Sequence, residues 1–94
     1  MEIKHEVNGK KGKFYLEIDG NVEAQMIYSY AGSDKIIFEH TEVSEKLKGQ
    51  GFGHKLLAEA VAFLRTNNIK AIPLCPFVSA VFKKNRKDYE DIIA

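Results

Sequence analysis

The sequence carries three glycines at alternate positions, Gly49, Gly51 and Gly53, between a predicted strand and a predicted helix. Glycine leaves the backbone bare, so consecutive N–H groups can point at one centre. At the N-terminus of a helix the macrodipole also favours negative charge. The segment therefore predicts a cradle for a phosphate or a pyrophosphate. A turn that merely starts the helix is the alternative, but each glycine there lowers helix propensity by up to ~1 kcal/mol, which favours the functional interpretation.

Two other phosphate-binding motifs do not fit this segment. The dinucleotide fingerprint requires Gly-x-Gly-x-x-Gly, and the P-loop requires Gly-x-x-x-x-Gly-Lys followed by Ser or Thr. The residues from Lys48 to Gly53 match neither spacing. The pattern therefore argues against a dinucleotide-binding protein and against a P-loop nucleotide hydrolase.

Two side chains near the predicted cradle could take part in catalysis. Cys75, the single cysteine, follows the predicted fifth strand, and a partly ionised thiol is a competent nucleophile or can protonate a leaving group. The alternative is a small buried apolar residue. His40, on the predicted fourth strand, has an ordinary pKa of about 6.5, which suits a base; the alternative is a hydrogen-bonded histidine at the sheet surface. His5 and His54 show no metal-ligand spacing with Cys75, so no metal site is predicted.

The first half of the chain predicts four antiparallel strands, because apolar and polar residues alternate with period two. Turn-forming residues separate the strands, including Asn8-Gly9 and Asp19-Gly20. The predicted strands cover Ile3 to Val7, Phe14 to Ile18, Ala24 to Tyr30 and Lys35 to Val43.

The second half changes to helical spacing. Apolar residues at intervals of three and four predict an amphipathic helix from about Gly53 to Asn67. A short fifth strand follows from Ile69 to Leu74, and Pro73 places it near an edge or a splay of the sheet. A second helix is predicted from Phe77 to Lys87, and Tyr89 to Ile93 predicts a short closing element. The fold class is α+β, with a mostly antiparallel sheet of about five strands, a central helix after strand four and a second helix after strand five.

Length and composition predict one domain spanning residues 1–94. Hydrophobic residues make up 45% of the 94 residues and charged residues 29%, which is typical of a soluble globular protein. Fourteen basic and thirteen acidic residues give a net charge of +1, which argues against nucleic acid or a membrane as a partner. One cysteine, no signal peptide and no apolar membrane span predict a cytoplasmic protein, expected to be a monomer.

The segment Lys48-Gly49-Gln50-Gly51-Phe52-Gly53 resembles the acyl-CoA pyrophosphate loop of the GNAT superfamily of N-acetyltransferases. That motif is Gln or Arg, two residues, Gly, one residue, then Gly or Ala. Gly51 and Gly53 match it, and Lys48 stands where Gln or Arg is usual. The whole chain is similar to a short, single-domain subgroup of Yjdj type, which also has a stretch like Cys75-Pro76-Phe77. The pair of helices that larger members insert after the first strand is missing.

The resemblance implies that acetyl-CoA binds in a cleft where the fourth and fifth strands splay apart. The backbone of Thr41, Glu42 and Val43 would bond the pantetheine arm. The basic residues Lys83 and Lys84 on the last helix would meet the 3′-phosphate. The pyrophosphate would lie against Lys48, Gly49, Gln50, Gly51, Phe52, Gly53 and His54.

The implied reaction is acetyl transfer to an amine, either a small amine or a protein lysine, and it needs a base for the amine proton. Many members of the superfamily place a tyrosine acid on the helix after the fifth strand, where this chain has Phe82. Phe82 has no hydroxyl, so Cys75 and His40 are the candidate catalytic residues, and Glu39 and Glu42 are alternative bases. A CoA-binding or acyl-CoA-binding module without catalysis is the alternative function.

Overall fold

A computed structural model describes residues 2–94; Met1, the first residue of the predicted domain, lies outside the described residues. Five strands form one sheet in the order β1 to β5. Three helices and one 3₁₀ turn complete residues 2–94. The strands are β1 (Lys4–Asn8), β2 (Lys11–Ile18), β3 (Asn21–Tyr30), β4 (Lys35–Val43) and β5 (Lys70–Pro73), the 3₁₀ turn is Glu45–Leu47, and the helices are α1 (Phe52–Asn67), α2 (Pro76–Lys84) and α3 (Arg86–Tyr89).

The predicted meander and crossover are confirmed. Strands β1 to β4 pair antiparallel in sequence order, and β5 joins β4 in parallel through α1. Gly9 and Gly20 adopt φ values of 64° and 82°, so both hairpin turns use the left-handed conformation that the Asn-Gly and Asp-Gly pairs predict. The fold is the α+β class that the sequence predicts.

Only one face of the sheet is packed. The paired residues Phe14 and Met26, and Tyr28 and Phe38, lie on the helix side and are buried in one core with α1 and α2. The molecule measures 35 × 31 × 20 Å, and its smallest extent fits one sheet and one helix layer. Within residues 2–94 no helix covers the opposite face, which we call the open face. Its central side chains are Lys13, Ile27, Ile37, His40 and Ile72.

The first strand is more exposed than its alternation predicts: Ile3, just before β1, packs against the core, but all five residues of β1 are exposed. Helix α1 packs mainly against β2, β3 and β4 and reaches the edge strand through the ring of Phe63, which contacts His5. Val7, predicted as an inward residue, is 49% exposed. The alternation of apolar and polar residues therefore identifies the strand but not its position at the edge of the sheet.

One ring of β1 still reaches the core. The His5 ring stacks on Phe14 at 4.0 Å between ring centroids, and its Nε2 lies 2.6 Å from the Tyr28 hydroxyl. Phe63 of α1 contacts the same His5 ring edge-on. Burial and the hydrogen bond with Tyr30 raise the pKa of Tyr28, so its hydroxyl stays protonated. Partial burial lowers the pKa of His5, which favours a neutral imidazole that accepts a hydrogen bond.

The lowered pKa of His5 predicts a pH-dependent stability. In the unfolded chain His5 has its ordinary pKa of about 6.5, so below that pH the unfolded state binds the proton more readily. The stabilisation that comes from keeping His5 neutral is complete above about pH 6.5. It is lost as the pH falls through that value towards the lower pKa that His5 has in the folded protein. We expect urea unfolding to show a larger fall in unfolding free energy between pH 7.5 and pH 5 for the natural chain than for His5→Phe. If the unfolding free energy falls equally in the natural chain and in His5→Phe, His5 is not the cause of the pH dependence.

The predicted second helix is too long at its C-terminus. Helix α2 ends at Lys84 because Asn85 leaves the helical conformation, with φ −122° and ψ 43°, while its backbone N–H and side chain both donate to the carbonyl of Val81. A separate short helix, α3, then begins at Arg86. The predicted closing element is present as a parallel bridge between Ala71 and Ile93, which adds the tail to the free side of β5.

Candidate functional site

The sheet opens between β4 and β5. Strand β5 pairs only with the residues from Lys35 to Phe38, and Pro73 is the last paired residue. Strand β4 continues to Val43 without a neighbour on that side. The ladder with β4 ends at Pro73, so this residue lies at a splay, as predicted. The result is a strand edge with free backbone groups inside the molecule.

A bulge in β4 decides which backbone groups face this gap. Ile27 pairs with His40 and the next residue, Tyr28, pairs with Phe38, so Glu39 is an extra residue on β4. At the end of the strand the N–H of Ser44 donates to the carbonyl of Glu23 on β3. In an antiparallel pair the direction alternates, so the N–H and C=O groups of Thr41 and Val43 face the gap, and those of Glu42 face β3.

The loop after β4 is tied back to the sheet. Leu47 of the 3₁₀ turn is buried, Lys46 forms an ion pair with Glu23, and Lys48 forms one with Glu45 at 2.8 Å. The hydrogen bond to Glu23 raises the pKa of Lys46. The loop therefore enters α1 from a fixed starting point.

The glycine segment leaves the start of α1 uncapped. Gly49 and Gly51 have φ values of 80° and 77°, in the left-handed region, and a Cβ on either would meet nothing within 4 Å. The first helical hydrogen bond runs from the N–H of Lys55 to Gly51, so the amides of Phe52 to His54 lie before it. No side chain among residues 2–94 caps them, and the first turn contains no acidic residue. Such an end, with open space in front of it, suits an anion.

Gly53 has a different role from the other two glycines. It is helical, and a Cβ on it would lie 3.0 Å from Cζ of Phe77. The Phe77 ring also contacts His54 edge-on at 5.1 Å between ring centroids. Gly53 is therefore needed for the close approach of α2 to the first turn of α1. The sequence gives no sign of this contact, because the two residues belong to different helices.

These features enclose one cavity of about 350 Å³. It joins the free edge of β4 to the N-terminus of α1, with Phe77 as its wall on the α2 side. Two of the lining residues, Leu47 and Phe77, were not predicted from the sequence. Leu47 could have been found, because it is a single apolar residue in a polar loop. The cavity is lined by Thr41, Val43, Leu47, Lys48, Gly49, Gly51, Phe52, Gly53, His54 and Phe77.

Cys75 lies at the closed end of the gap. Its backbone N–H donates to the carbonyl of Phe38, and it precedes the first residue of α2. The side chain is buried, and its Sγ lies 3.2 Å from Oγ1 of Thr41. The only side-chain hydrogen bond that the described residues give this thiol is with that hydroxyl. The thiol is therefore beside the strand edge but has no adjacent base.

Other predicted site residues lie outside the cavity. His40 and Glu42 pair with Ile27 and Gln25, so they lie on the open face, opposite to the side on which Thr41 meets Cys75. Gln50 is exposed, and its side chain donates to the carbonyl of Lys46. Lys83 and Lys84 are exposed at the far end of α2, roughly 12 Å along the helix from Cys75.

Two further features of residues 2–94 concern membranes and metals. The helices there are too short or too polar to cross a membrane. No three His, Cys, Asp or Glu side chains of that part of the chain come together as a metal-binding cluster.

Comparison with known proteins agrees with this architecture. The sequence model of the family described as GCN5-related N-acetyl-transferase matches residues 13–92. Protein NATD1 of Xenopus tropicalis is 27% identical over 84 residues, which cover 88% of this chain and 77% of that protein.

Two solved structures are also similar. A GCN5-like protein from Staphylococcus aureus, solved by NMR, is 36% identical with a TM-score of 0.76 over 99% of this chain and 87% of its own. A GNAT acetyltransferase of Elizabethkingia anophelis, solved with acetyl-CoA bound, shares the fold at 11% identity, with a TM-score of 0.63 over 82% of this chain and 53% of its own. The narrower Yjdj subgroup stays a prediction. The matched residues, the sheet and the splayed strands together confirm the family: the chain belongs to the GCN5-related N-acetyltransferases.

Proposed function

We propose that the protein is an acetyl-CoA-dependent N-acetyltransferase that moves an acetyl group to an amine acceptor. The observation that carries the proposal is the single cavity that contains both the free edge of β4 and the bare N-terminus of α1. A peptide-like arm can pair with a strand edge, and a diphosphate can bind at a helix N-terminus. CoA carries both groups in one molecule.

The residues of the cavity fit this ligand. The backbone groups of Thr41 and Val43 face the gap and would bond the two amides of the pantetheine arm, with Glu42 between them. The amides from Gly51 to His54 would hold the diphosphate. Lys48 lies beside the loop, and Gly49 supplies the open space in front of it. The contact of Lys83 and Lys84 with the 3′-phosphate, the cytoplasmic location and the monomeric state stay predictions.

The chemistry needs an amine nucleophile and a place for two protons. When bound, the cosubstrate supplies an acetyl thioester, whose C–S bond breaks as the amine nitrogen bonds to the carbonyl carbon. The acceptor arrives as an ammonium ion, so one proton must leave before attack and another is lost as the amide forms. One of them returns to the CoA sulfur, and the other goes to solvent. We assign removal of protons to His40, on the open face. Polarisation of the carbonyl is assigned to the backbone N–H of Thr41, whose side chain meets Cys75, which leaves the carbonyl of Thr41 and the backbone groups of Val43 for the pantetheine arm.

Cys75 is assigned to the leaving sulfur. Its thiol lies beside Thr41 at the closed end of the gap, and the two side chains form a short chain of hydroxyl and thiol groups. The donor and the departing group are both thiols, so a proton passes between them without a large energy cost, and the Cys75 thiolate then regains one of the two protons that the amine loses. Attack by Cys75 on the thioester would need a neighbouring base, which the contacts of its Sγ do not supply.

This assignment predicts the behaviour of two Cys75 variants. Cys75→Ala removes the donor and is expected to lower kcat about tenfold, less than the 10²–10⁴ typical of general acids, because a thiolate already leaves readily. Cys75→Ser keeps a donor and is expected to retain more activity. Steady-state release of CoA, followed with a thiol reagent, measures both. Equal turnover of all three proteins would remove Cys75 from the mechanism, and an acetyl group on Cys75 in intact mass spectra would show a covalent route.

The proposed function is tested in two steps. CoA is first titrated into the protein, and amide resonances of Gly49 to Gly53 and of Thr41 to Val43 are expected to shift. Acetyl-CoA is then supplied with a panel of amines, and CoA release faster than in buffer is expected with at least one of them. No shift in the first step would exclude CoA binding altogether.

The alternative is a CoA-binding module without catalysis, and one observation favours it. Phe82 stands where many members of the superfamily have a tyrosine acid, and it is buried against Phe38 and Tyr89. It supplies no proton donor. CoA binding with no amine-dependent release of CoA across the panel would select this alternative.

A further inference from the structure

The end of β5 contains one extra residue, and it leaves an apolar side chain in solvent. Lys70 donates to the carbonyl of Asp34, so a regular parallel ladder would continue with Ile72 to Ile36 and Leu74 to Phe38. Instead, the N–H of Cys75 donates to the carbonyl of Phe38. Leu74 is therefore displaced from the ladder. Its side chain is 67% exposed, compared with 49% for Val7 and 40% for Val22.

Leu74 lies at the β5 edge of the gap between β4 and β5. Cys75 is buried on the helix side, so the exposed residue before it lies on the side of the open face. On that face Ile37 pairs with Ile72, which brings two half-buried aliphatic side chains together next to Leu74. The β5 side of the gap is therefore an aliphatic strip made of Ile37, Ile72 and Leu74.

The β4 side of the gap is polar, in contrast to the aliphatic strip on the β5 side. His40 and Glu42 lie on the open face and are exposed. No cation of residues 2–94 forms an ion pair with Glu42. The hydrogen bond from Lys11 holds the pKa of Glu39 below its ordinary value, and the ion pair with Lys11 at 3.0 Å offsets the charge of Glu39, so the acidic character of this edge comes from Glu42. An aliphatic strip thus faces an acidic edge across the gap.

A second cavity of about 240 Å³ lies on the open face, over β1, β2 and β3. Gln25 and Ile27 line it, and they pair with Glu42 and His40. The cavity also reaches Lys13 on β2, so its centre lies about two strand spacings, roughly 10 Å, from β4. An extended peptide covers that distance in about three residues.

We propose that the open face around Leu74 is the docking surface for a lysine side chain presented by a flexible segment of another protein. The proposal rests on the proposed function and names its acceptor class. A lysine stem is four methylenes long and ends in an ammonium group, which matches the aliphatic strip and the acidic edge. A neighbouring residue of the same segment would occupy the cavity at Gln25 and Ile27. A small polar amine would use neither the strip nor the cavity.

The test compares two acceptors and three variants. The acceptors are a short unstructured peptide with one central lysine and the same lysine as a capped single residue. The natural protein is expected to acetylate the peptide with kcat/KM at least tenfold higher. Leu74→Ser is expected to raise KM for the peptide at least fivefold with little change in kcat, and Glu42→Gln to raise it similarly. Val7→Ser, an exposed apolar residue on β1, is the matched control and should change nothing.

A binding measurement separates this proposal from the proposed function. The peptide is titrated into CoA-bound protein, and the methyl resonances of Ile37, Ile72 and Leu74 are expected to shift while those of Val7 do not. Unchanged KM in Leu74→Ser and Glu42→Gln, or peptide shifts elsewhere, would overturn the docking surface even when transfer is observed. Shifts of these methyls with protein concentration alone, together with a dimer in sedimentation, would show that a second copy covers the face and would also overturn it. Loss of CoA binding itself would be a failure of the proposed function instead.

Discussion

Replacing Gly51 with aspartate is expected to weaken CoA binding about 100-fold, equivalent to about 3 kcal/mol, without unfolding the protein. Gly51 is the N-cap of α1, and the amides after it are the proposed contacts of the diphosphate. An aspartate at an N-cap accepts hydrogen bonds from those same amides and adds a negative charge beside the ligand. The substitution therefore competes with the diphosphate twice, by occupying its donors and by repelling its charge.

The conformation of Gly51 limits the cost to the fold. Its φ of 77° is left-handed, and aspartate and asparagine tolerate this region better than other non-glycine residues do. A Cβ there meets nothing within 4 Å. The strain and the gain from a capped helix are both about 1–2 kcal/mol, so we expect the unfolding free energy to change little.

Two controls isolate the ligand effect. Gly20→Asp places the same side chain at φ 82° in the β2–β3 turn, also in open space, and should leave the Kd for CoA unchanged. Gly51→Asn occupies the same amides without the charge and should weaken binding by a smaller factor. Isothermal titration measures all three Kd values. A natural Kd in Gly51→Asp would contradict the assignment of the diphosphate to the start of α1.

The local signals in the sequence predicted most of the fold. Turn pairs such as Asp19-Gly20 and the change of spacing after Gly53 depend on residues close in the chain, so they identify the strands, the central helix and their order. The end of α2 was misplaced because the backbone at Asn85 leaves the helix within a continuous run of helix-compatible residues. The position of β1 at the edge of the sheet is also a property of the whole sheet and not of the strand.

The candidate site divides in the same way. Gly49 and Gly51 could be recognised because their use depends on their own backbone conformation. Phe77 could not, because its role comes from contact with Gly53 on another helix. Leu74 could not either, because its displacement depends on which N–H reaches the carbonyl of Phe38. His40 lies on the open face because of the bulge at Glu39, and the alternation of apolar and polar residues does not reveal that bulge.

A second large effect is expected in the core, where Gly12→Ala should lower the unfolding free energy by about 3 kcal/mol. Gly12 pairs with Tyr28 on β3, and a Cβ on Gly12 would lie 2.7 Å from Cε2 of Tyr28 and closer still to its Cζ and Oη. The Tyr28 ring is fully buried, its hydroxyl lies 2.6 Å from Nε2 of His5, and the Tyr30 ring contacts it edge-on. The ring cannot move aside without breaking these contacts, so the overpacking cost falls at the upper end of the usual 1–3 kcal/mol.

Backbone strain does not contribute to this effect, because Gly12 has no positive φ. Urea unfolding of Gly12→Ala, Tyr28→Leu and the double variant forms a cycle that measures the clash. Leucine removes the ring atoms that the new Cβ would meet, so the double variant should be more stable than the sum of the two single effects. Additive effects, or a stability loss in Gly12→Ala below about 1 kcal/mol, would show that the Tyr28 ring has room to move. In that case His5 would not hold the ring, and the pH dependence assigned to His5 would lose its structural basis.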